Sequence, residues 1–141
     1  MTATLQLLGE SRFAFANPYQ DVRGWQVRDV DGQELGRLDD VLIDEAAQKV
    51  RFLKVAHGGI LGLGTTHSFI PIEAVVAVAN GVVTVETRAA RVAEAPRFDP
   101  GLINESNHVD DLYSHYGYQP PWAPMPAFRL EGEDRTSGGA R

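Results

Sequence analysis

The chain has no cysteine among its 141 residues. That absence excludes disulfides, thiol nucleophiles, zinc ribbons and iron–sulfur clusters. Lysine is nearly missing too: only Lys49 and Lys54 stand beside eleven arginines. The 19 acidic and 13 basic side chains leave a formal net charge of −6. This is the wrong sign for a general phosphate-backbone binder, which needs a cationic surface to release counterions. Nucleic acid is therefore not an expected partner. No apolar run approaches the roughly 20 residues of a bilayer-spanning helix. Residues 1–10 carry neither the basic region nor the long apolar region of a secretory signal. These absences predict a cytoplasmic protein without membrane insertion, built as one domain with a short appendage. The 43 % of apolar residues suffice for a core.

What is present falls into three stretches. Residues 1–18 hold a weak apolar series (Leu5, Leu7, Leu8, Phe13, Phe15) ending at the turn signal Asn17-Pro18, and read as a partly ordered N-terminal arm. Residues 19–87 are rich in β-branched side chains and interrupted by Gly, Asp-Gly and Asn-Gly, the grammar of short strands and tight turns. Beyond residue 100 come one helix over about 104–116, a proline-rich strap and an end, from about Glu131, with the composition of a disordered tail.

Two hairpins can be registered from sequence. Asn80-Gly81 suits the two positive-φ positions of a type I′ turn, which sets Val78 opposite Val83 and Val76 opposite Val85. Around Asp31-Gly32, a two-residue loop would place Arg28 opposite Leu35. A three-residue loop, Val30-Asp31-Gly32, pairs Arg28 with Glu34 and Val27 with Leu35 and is preferred. The next strand has apolar residues at Leu35, Leu38, Val41 and Ile43. Steps of three do not fit a period of two, so a bulge or bend is expected between Gly36 and Asp40. Residues 49–57 are apolar on both faces and read as a central strand. Pro71 in Phe69-Ile70-Pro71-Ile72 belongs at an edge or a strand end. Five or six short strands joined by tight turns point to a small antiparallel barrel, since closure disposes of free edges.

No catalytic constellation emerges. The segment Gly58-Gly59-Ile60-Leu61-Gly62-Leu63-Gly64 lacks the spacing, the GK[ST] and the following helix of a phosphate-binding loop. It reads as a connection with an apolar tip at Ile60, Leu61 and Leu63 that either offers a contact surface or plugs a barrel mouth. His57 and His67 can face each other across strands, and His108, Asp111 and His115 share a helix face, but neither set reaches four ligands. No metal or other cofactor is assigned. Asp39 and Asp40, neighbours on one strand, point to opposite faces and do not converge, Asp44 reads as the cap of the turn Asp44-Glu45-Ala46-Ala47-Gln48, and no serine sits in a G-x-S-x-G elbow.

Val109, Leu112, Tyr113 and Tyr116 follow an i, i+3, i+4, i+7 spacing, one apolar stripe with Asn104 as cap and Gly117 as stop. The stripe must cover either its own barrel or another chain. Pro120 to Pro126 favours an extended segment anchored by Trp122.

Taken together, Asp21-Val-Arg-Gly-Trp-Gln-Val, Glu34-Leu-Gly-Arg-Leu-Asp-Asp-Val-Leu-Ile-Asp, the 58–64 loop, Ile70-Pro-Ile-Glu-Ala-Val and Ala95-Pro-Arg-Phe-Asp-Pro resemble the PRC-barrel family. The resemblance covers residues 19–100. It implies a small β-barrel, and assembly or protein-binding roles of the kind played in photosynthetic reaction centres and ribosome maturation; no common catalytic residue carries over. The expected function is a non-catalytic interaction or assembly module. Its partner is another protein or a second copy, met through Ile60, Leu61, Leu63, Val109, Leu112, Tyr113, Tyr116 and Trp122. A ribosome or RNA-processing adaptor is the alternative, with a basic stripe of Arg23, Arg28, Arg37 and Arg51 as its mark. A metal-dependent small-molecule enzyme built on His57, His67 and the acidic residues is the third.

Overall fold

The computed structural model describes residues 5–11, 13–58, 66–95 and 106–121, with only the backbone described at 106–108. Within them seven strands form one sheet: β1 (Leu5–Leu7), β2 (Gln26–Asp29), β3 (Glu34–Asp44), β4 (Lys49–His57), β5 (Thr66–Pro71), β6 (Val75–Ala79) and β7 (Val82–Val85). Two helices follow, α1 (Ala89–Ala93) and α2 (Ser106–Tyr116). The hydrogen-bonded order is β5-β4-β3-β2-β7-β6, with β1 added to β3. Neighbours are antiparallel except β2 and β7, which run parallel. The expectation of five or six antiparallel strands is thus corrected to seven in a mixed sheet.

Hydrogen bonds do not join the ends of this path. Those ends, β5 and β6, are consecutive in the chain and separated only by a 3-10 turn at Ile72–Ala74. A six-strand path whose first and last members are three residues apart has to curl round. The inside of the curl holds the main core, with Val27, Leu38, Val41, Leu53, Val55, Ile70, Val83 and Val85. The barrel is therefore curled but left unclosed, with β5 and β6 at the two ends of the hydrogen-bonded path among the described residues.

The curl is produced by bulges. Arg28 faces Glu34 and Gly32 is left-handed at φ +85°, as the three-residue loop requires. Val27 faces Gly36 rather than Leu35, because the register slips by one residue between Val27 and Arg28. A second slip, against β4, lies between Leu38 and Asp40. Each extra residue returns the next apolar side chain to the same face, so Leu35, Leu38, Val41 and Ile43 all enter the main core. Gly36 allows the close approach: a Cβ there would lie 2.2 Å from the Ala56 carbonyl oxygen. At the other hairpin Asn80 and Gly81 both have positive φ and Val78 faces Val83. Val75, not Val76, faces Val85, since a slip between Val75 and Ala77 extrudes Val76.

The outer face of the sheet has its own core. Leu5 and Leu7 alternate into it from β1, which pairs with the far half of β3. Leu42, Phe52 and Phe69 come from β3, β4 and β5, and Val109, Leu112 and Tyr113 from α2. The Phe52 and Tyr113 rings are 4.7 Å apart between centroids. The helix stops where expected: Gly117 is at φ +84°, and the Tyr118 amide donates to the Tyr113 carbonyl at 2.9 Å.

Candidate functional site

Residues 15–25 cross one side of the curl and are pinned by short-range chemistry. The Gly9 amide donates to both carboxylate oxygens of Asp40, at 3.0 and 3.2 Å. Asn17 accepts from the Tyr19 amide and opens the 3-10 turn Pro18–Gln20. Arg23 grips Asp21 at 2.6 and 2.8 Å and lies 3.6 Å from Asp40. That guanidinium holds the Asp21 carboxyl below its ordinary value, outweighing the opposing effect of partial burial. Gly24 donates to the Leu38 carbonyl at 2.7 Å, and Leu38 returns a bond to Trp25 at 2.9 Å. The segment is thereby laid against the bulged middle of β3.

Between this segment and β6 the described residues leave part of the inner face uncovered. A hollow of about 440 Å³ opens there, with Phe15, Tyr19, Val22 and Trp25 on one side and Ile72, Val75 and Val78 on the other. Its floor is the buried core itself, Leu38, Val41 and Leu53. A second hollow of about 360 Å³ beneath the segment shares Phe15, Gln20 and Val50 with the first. Two lining residues are large, apolar and exposed, Tyr19 at 92 % and Val78 at 49 %, and Val76 on the same strand is exposed at 54 %. Arg23 is the one charged side chain in the lining of the larger hollow and is already engaged, and the other polar side-chain groups there belong to Gln20, Tyr19 and Trp25. This arrangement can hold apolar side chains; it offers little to orient a polar substrate.

The residues singled out in the sequence fall elsewhere. Val109, Leu112, Tyr113 and Tyr116 are buried, the first three against the outer face of their own sheet and Tyr116 in the main core. They are not a surface for a partner, because the sheet presents Leu42, Phe52 and Phe69 directly to that stripe. Burial pushes the Tyr113 and Tyr116 hydroxyls well above the ordinary tyrosine range. Ile60, Leu61, Leu63 and Trp122 lie outside the described residues, as do Asn104, most of the proline strap and the His108 side chain.

The histidines do not converge. His57 faces Thr66, whereas His67 faces Ala56, so the two rings leave opposite faces of the sheet. The His57 ring lies between the Thr66 hydroxyl (2.8 Å from Nδ1) and the Ser68 hydroxyl (2.9 Å from Nε2). His67 lies near Asp39, itself 3.3 Å from Lys54. Burial, with Lys54 nearby, lowers the His67 pKa below its ordinary value. His115 donates through Nε2 to the Arg91 carbonyl at 2.6 Å while Arg91 donates back to the His115 carbonyl, a clamp between α1 and α2. Among the described residues no group of three or more His, Cys, Asp or Glu could hold a metal ion. The four arginines of the expected basic stripe are each occupied: Arg23 with Asp21, Arg28 with Gln26, Arg37 with the Gly24 carbonyl and Arg51 with Asp44.

The model of the PRC-barrel domain matches residues 16–92, more than half of the chain. This chain belongs to the PRC-barrel family. The search among curated proteins finds no match. In this PRC barrel the family stretch takes in Tyr19, Val22, Trp25 and every strand from β2 to β7, while β1 and α2 lie outside it. The hollow is thus built within the PRC barrel, apart from Phe15 at its margin. Sequence reasoning missed it. The available signals were the run of aromatics at Phe13, Phe15, Tyr19 and Trp25, and a strand, β6, with no charged residue. Among the described residues no helix is long and apolar enough to cross a membrane.

Proposed function

We propose that this PRC barrel is a non-catalytic module for protein docking or assembly, acting in the cytoplasm. The observation that carries the reading is the apolar hollow bounded by Tyr19, Trp25 and Val78, with exposed apolar side chains on its rim. A soluble chain that leaves its inner sheet face uncovered gains free energy when another apolar surface fills the gap, about 25 cal/mol for each Å² removed from water. Tyr and Trp at the rim suit this role, since each adds a large contact area at small entropic cost. The occupant is an apolar protein segment rather than a charged one, because the lining supplies no free countercharge.

The test is retention of protein by the immobilised full-length chain from extract of the native organism. The wild-type chain is expected to hold a discrete protein in stoichiometric amount, and Tyr19→Asp to lose it. Tyr19 is almost wholly exposed, so the substitution leaves the fold intact. Equal retention by both forms, or none by either, rejects docking at the hollow. A ribosomal or RNA-bearing partner held through Tyr19 would establish the adaptor form of the same reading.

A further inference from the structure

We propose that the hollow beside β6 is a groove for a polyproline segment, and that residues 122–128 of this chain fill it as a strap. The inference rests on the reading of the hollow as an apolar docking site and names its resident occupant. The chain after α2 leads there. The Tyr118 hydroxyl donates to the Glu86 carboxylate, and the Glu86 amide donates to the Ala74 carbonyl at 2.8 Å. Ala74 adjoins Val75, the first residue of β6 and part of the lining of the hollow. The last described residue, Pro121, is three positions beyond Tyr118 and so lies within about 11 Å of it. Residues 122–141 therefore set out from the Val75 end of β6.

The composition of this stretch matches the lining. Pro120, Pro121, Pro124 and Pro126 favour the polyproline conformation, which turns once every three residues and rises about 3.1 Å per residue. Trp122, Met125 and Phe128 recur at that same interval of three, so the conformation gathers them along one edge. From Trp122 to Phe128 the edge is about 19 Å long, against about 17 Å for the five residues of β6. Grooves that read such segments are lined by aromatic rings, and Phe15, Tyr19 and Trp25 supply them here. Charge agrees as well. From Gln119 to Phe128 there is no charged side chain, and Arg23 in the lining is taken up by Asp21 and Asp40. The contact is made by side chains rather than by a strand ladder, so the register slip at Val76 does not interrupt it. It covers Tyr19 and Val78, the two large apolar lining residues that the described residues leave exposed. A foreign segment enters only when the strap leaves. A strap seated about nine-tenths of the time lowers its apparent affinity about tenfold.

Disulfide trapping in the full-length chain, which has no cysteine of its own, decides the question. A disulfide forms only where two Cβ atoms come within about 4.5 Å, so closure reports contact. Mild oxidation of the double variant Val78→Cys with Met125→Cys is expected to give an intramolecular disulfide in the monomer. Val30→Cys with Met125→Cys is the control, since Val30 is as exposed as Val78 but lies in the β2–β3 turn. It is expected to close about tenfold more slowly or not at all. Free thiols in the Val78 pair, closure of both pairs at one rate, or a product linked only between two chains overturns the proposal. Should Val78→Cys lose the wild-type circular dichroism spectrum, Tyr19→Cys with Met125→Cys takes its place, with the same outcomes. Where a protein is retained from extract, Trp122→Asp is expected to bind it about tenfold more tightly than wild type; equal or weaker affinity overturns the strap. Free thiols in a chain that still holds a foreign protein through Tyr19 overturn the strap alone. An intramolecular disulfide in a chain that retains nothing, with or without Trp122→Asp, leaves the strap standing and rejects docking of a foreign partner.

Discussion

Leu112→Ala tests whether α2 belongs to this sheet. Leu112 is 1 % exposed and shares the outer core with Leu5, Leu42, Phe52, Phe69 and Tyr113. The substitution removes three buried carbons, worth about 0.8 kcal/mol each in transfer free energy, or about 2.4 kcal/mol. A cavity term adds to this, because β-sheet on one side and helix on the other collapse only in part; the expected total is about 3–4 kcal/mol. For a chain of this length that lowers the thermal midpoint by about 6–16 °C. Urea unfolding followed by circular dichroism reads the free energy directly, with Asp111→Ala, on the exposed side of the same helix, expected to stay within about 0.5 kcal/mol. A loss below about 1 kcal/mol for Leu112→Ala would mean that the side chain is not enclosed. The burial of the stripe on its own barrel would then be wrong, and the helix would be free for a partner after all.

Other substitutions probe separate parts of the fold. Gly36→Ala sets a Cβ 2.2 Å from the Ala56 carbonyl oxygen at φ +143°. Backbone strain and overpacking cost about 1–3 kcal/mol each, so chemical denaturation should show a loss of about 2–6 kcal/mol. The buried Tyr116 hydroxyl has no hydrogen-bond partner among the described residues. Tyr116→Phe should leave stability unchanged or raise it by about 1 kcal/mol, and a clear loss would reveal a bond to that oxygen. His67 has a folded pKa below its unfolded value of 6.5, lowered by burial and Lys54. The unfolded chain therefore takes up the proton first as the solution is acidified. The associated stability is present above pH 6.5 and lost as pH falls through the folded pKa. Thermal midpoints measured across that window should fall more for wild type than for His67→Gln; parallel curves would show that His67 is not perturbed.

Part of this architecture is written in single stretches of chain. The left-handed Asn80-Gly81 turn, the three-residue loop ending at Gly32, the helix stop at Gly117 and the bulged course of β3 all follow from local sterics or from the mismatch between a three-residue apolar step and a two-residue strand period. The apolar stripe of α2 was equally plain, and so was the family resemblance carried by residues 19–100.

Three things were decided only when distant segments met. β1 adds to the far half of β3, and β2 runs parallel to β7, because the accumulated register slips bring those backbones within hydrogen-bonding reach. The stripe of α2 lands on Leu42, Phe52 and Phe69 rather than on another chain. The hollow beside Tyr19 and Val78 is assembled from residues 15–25, the middle of β3 and β4, the turn at Ile72, and β6 and β7, segments far apart in the chain. Periodicity tells which side of a segment must be covered, since it depends on neighbours three or four residues away. What covers it, or fails to, depends on distances between residues tens of positions apart, and those are set only by the whole packed chain.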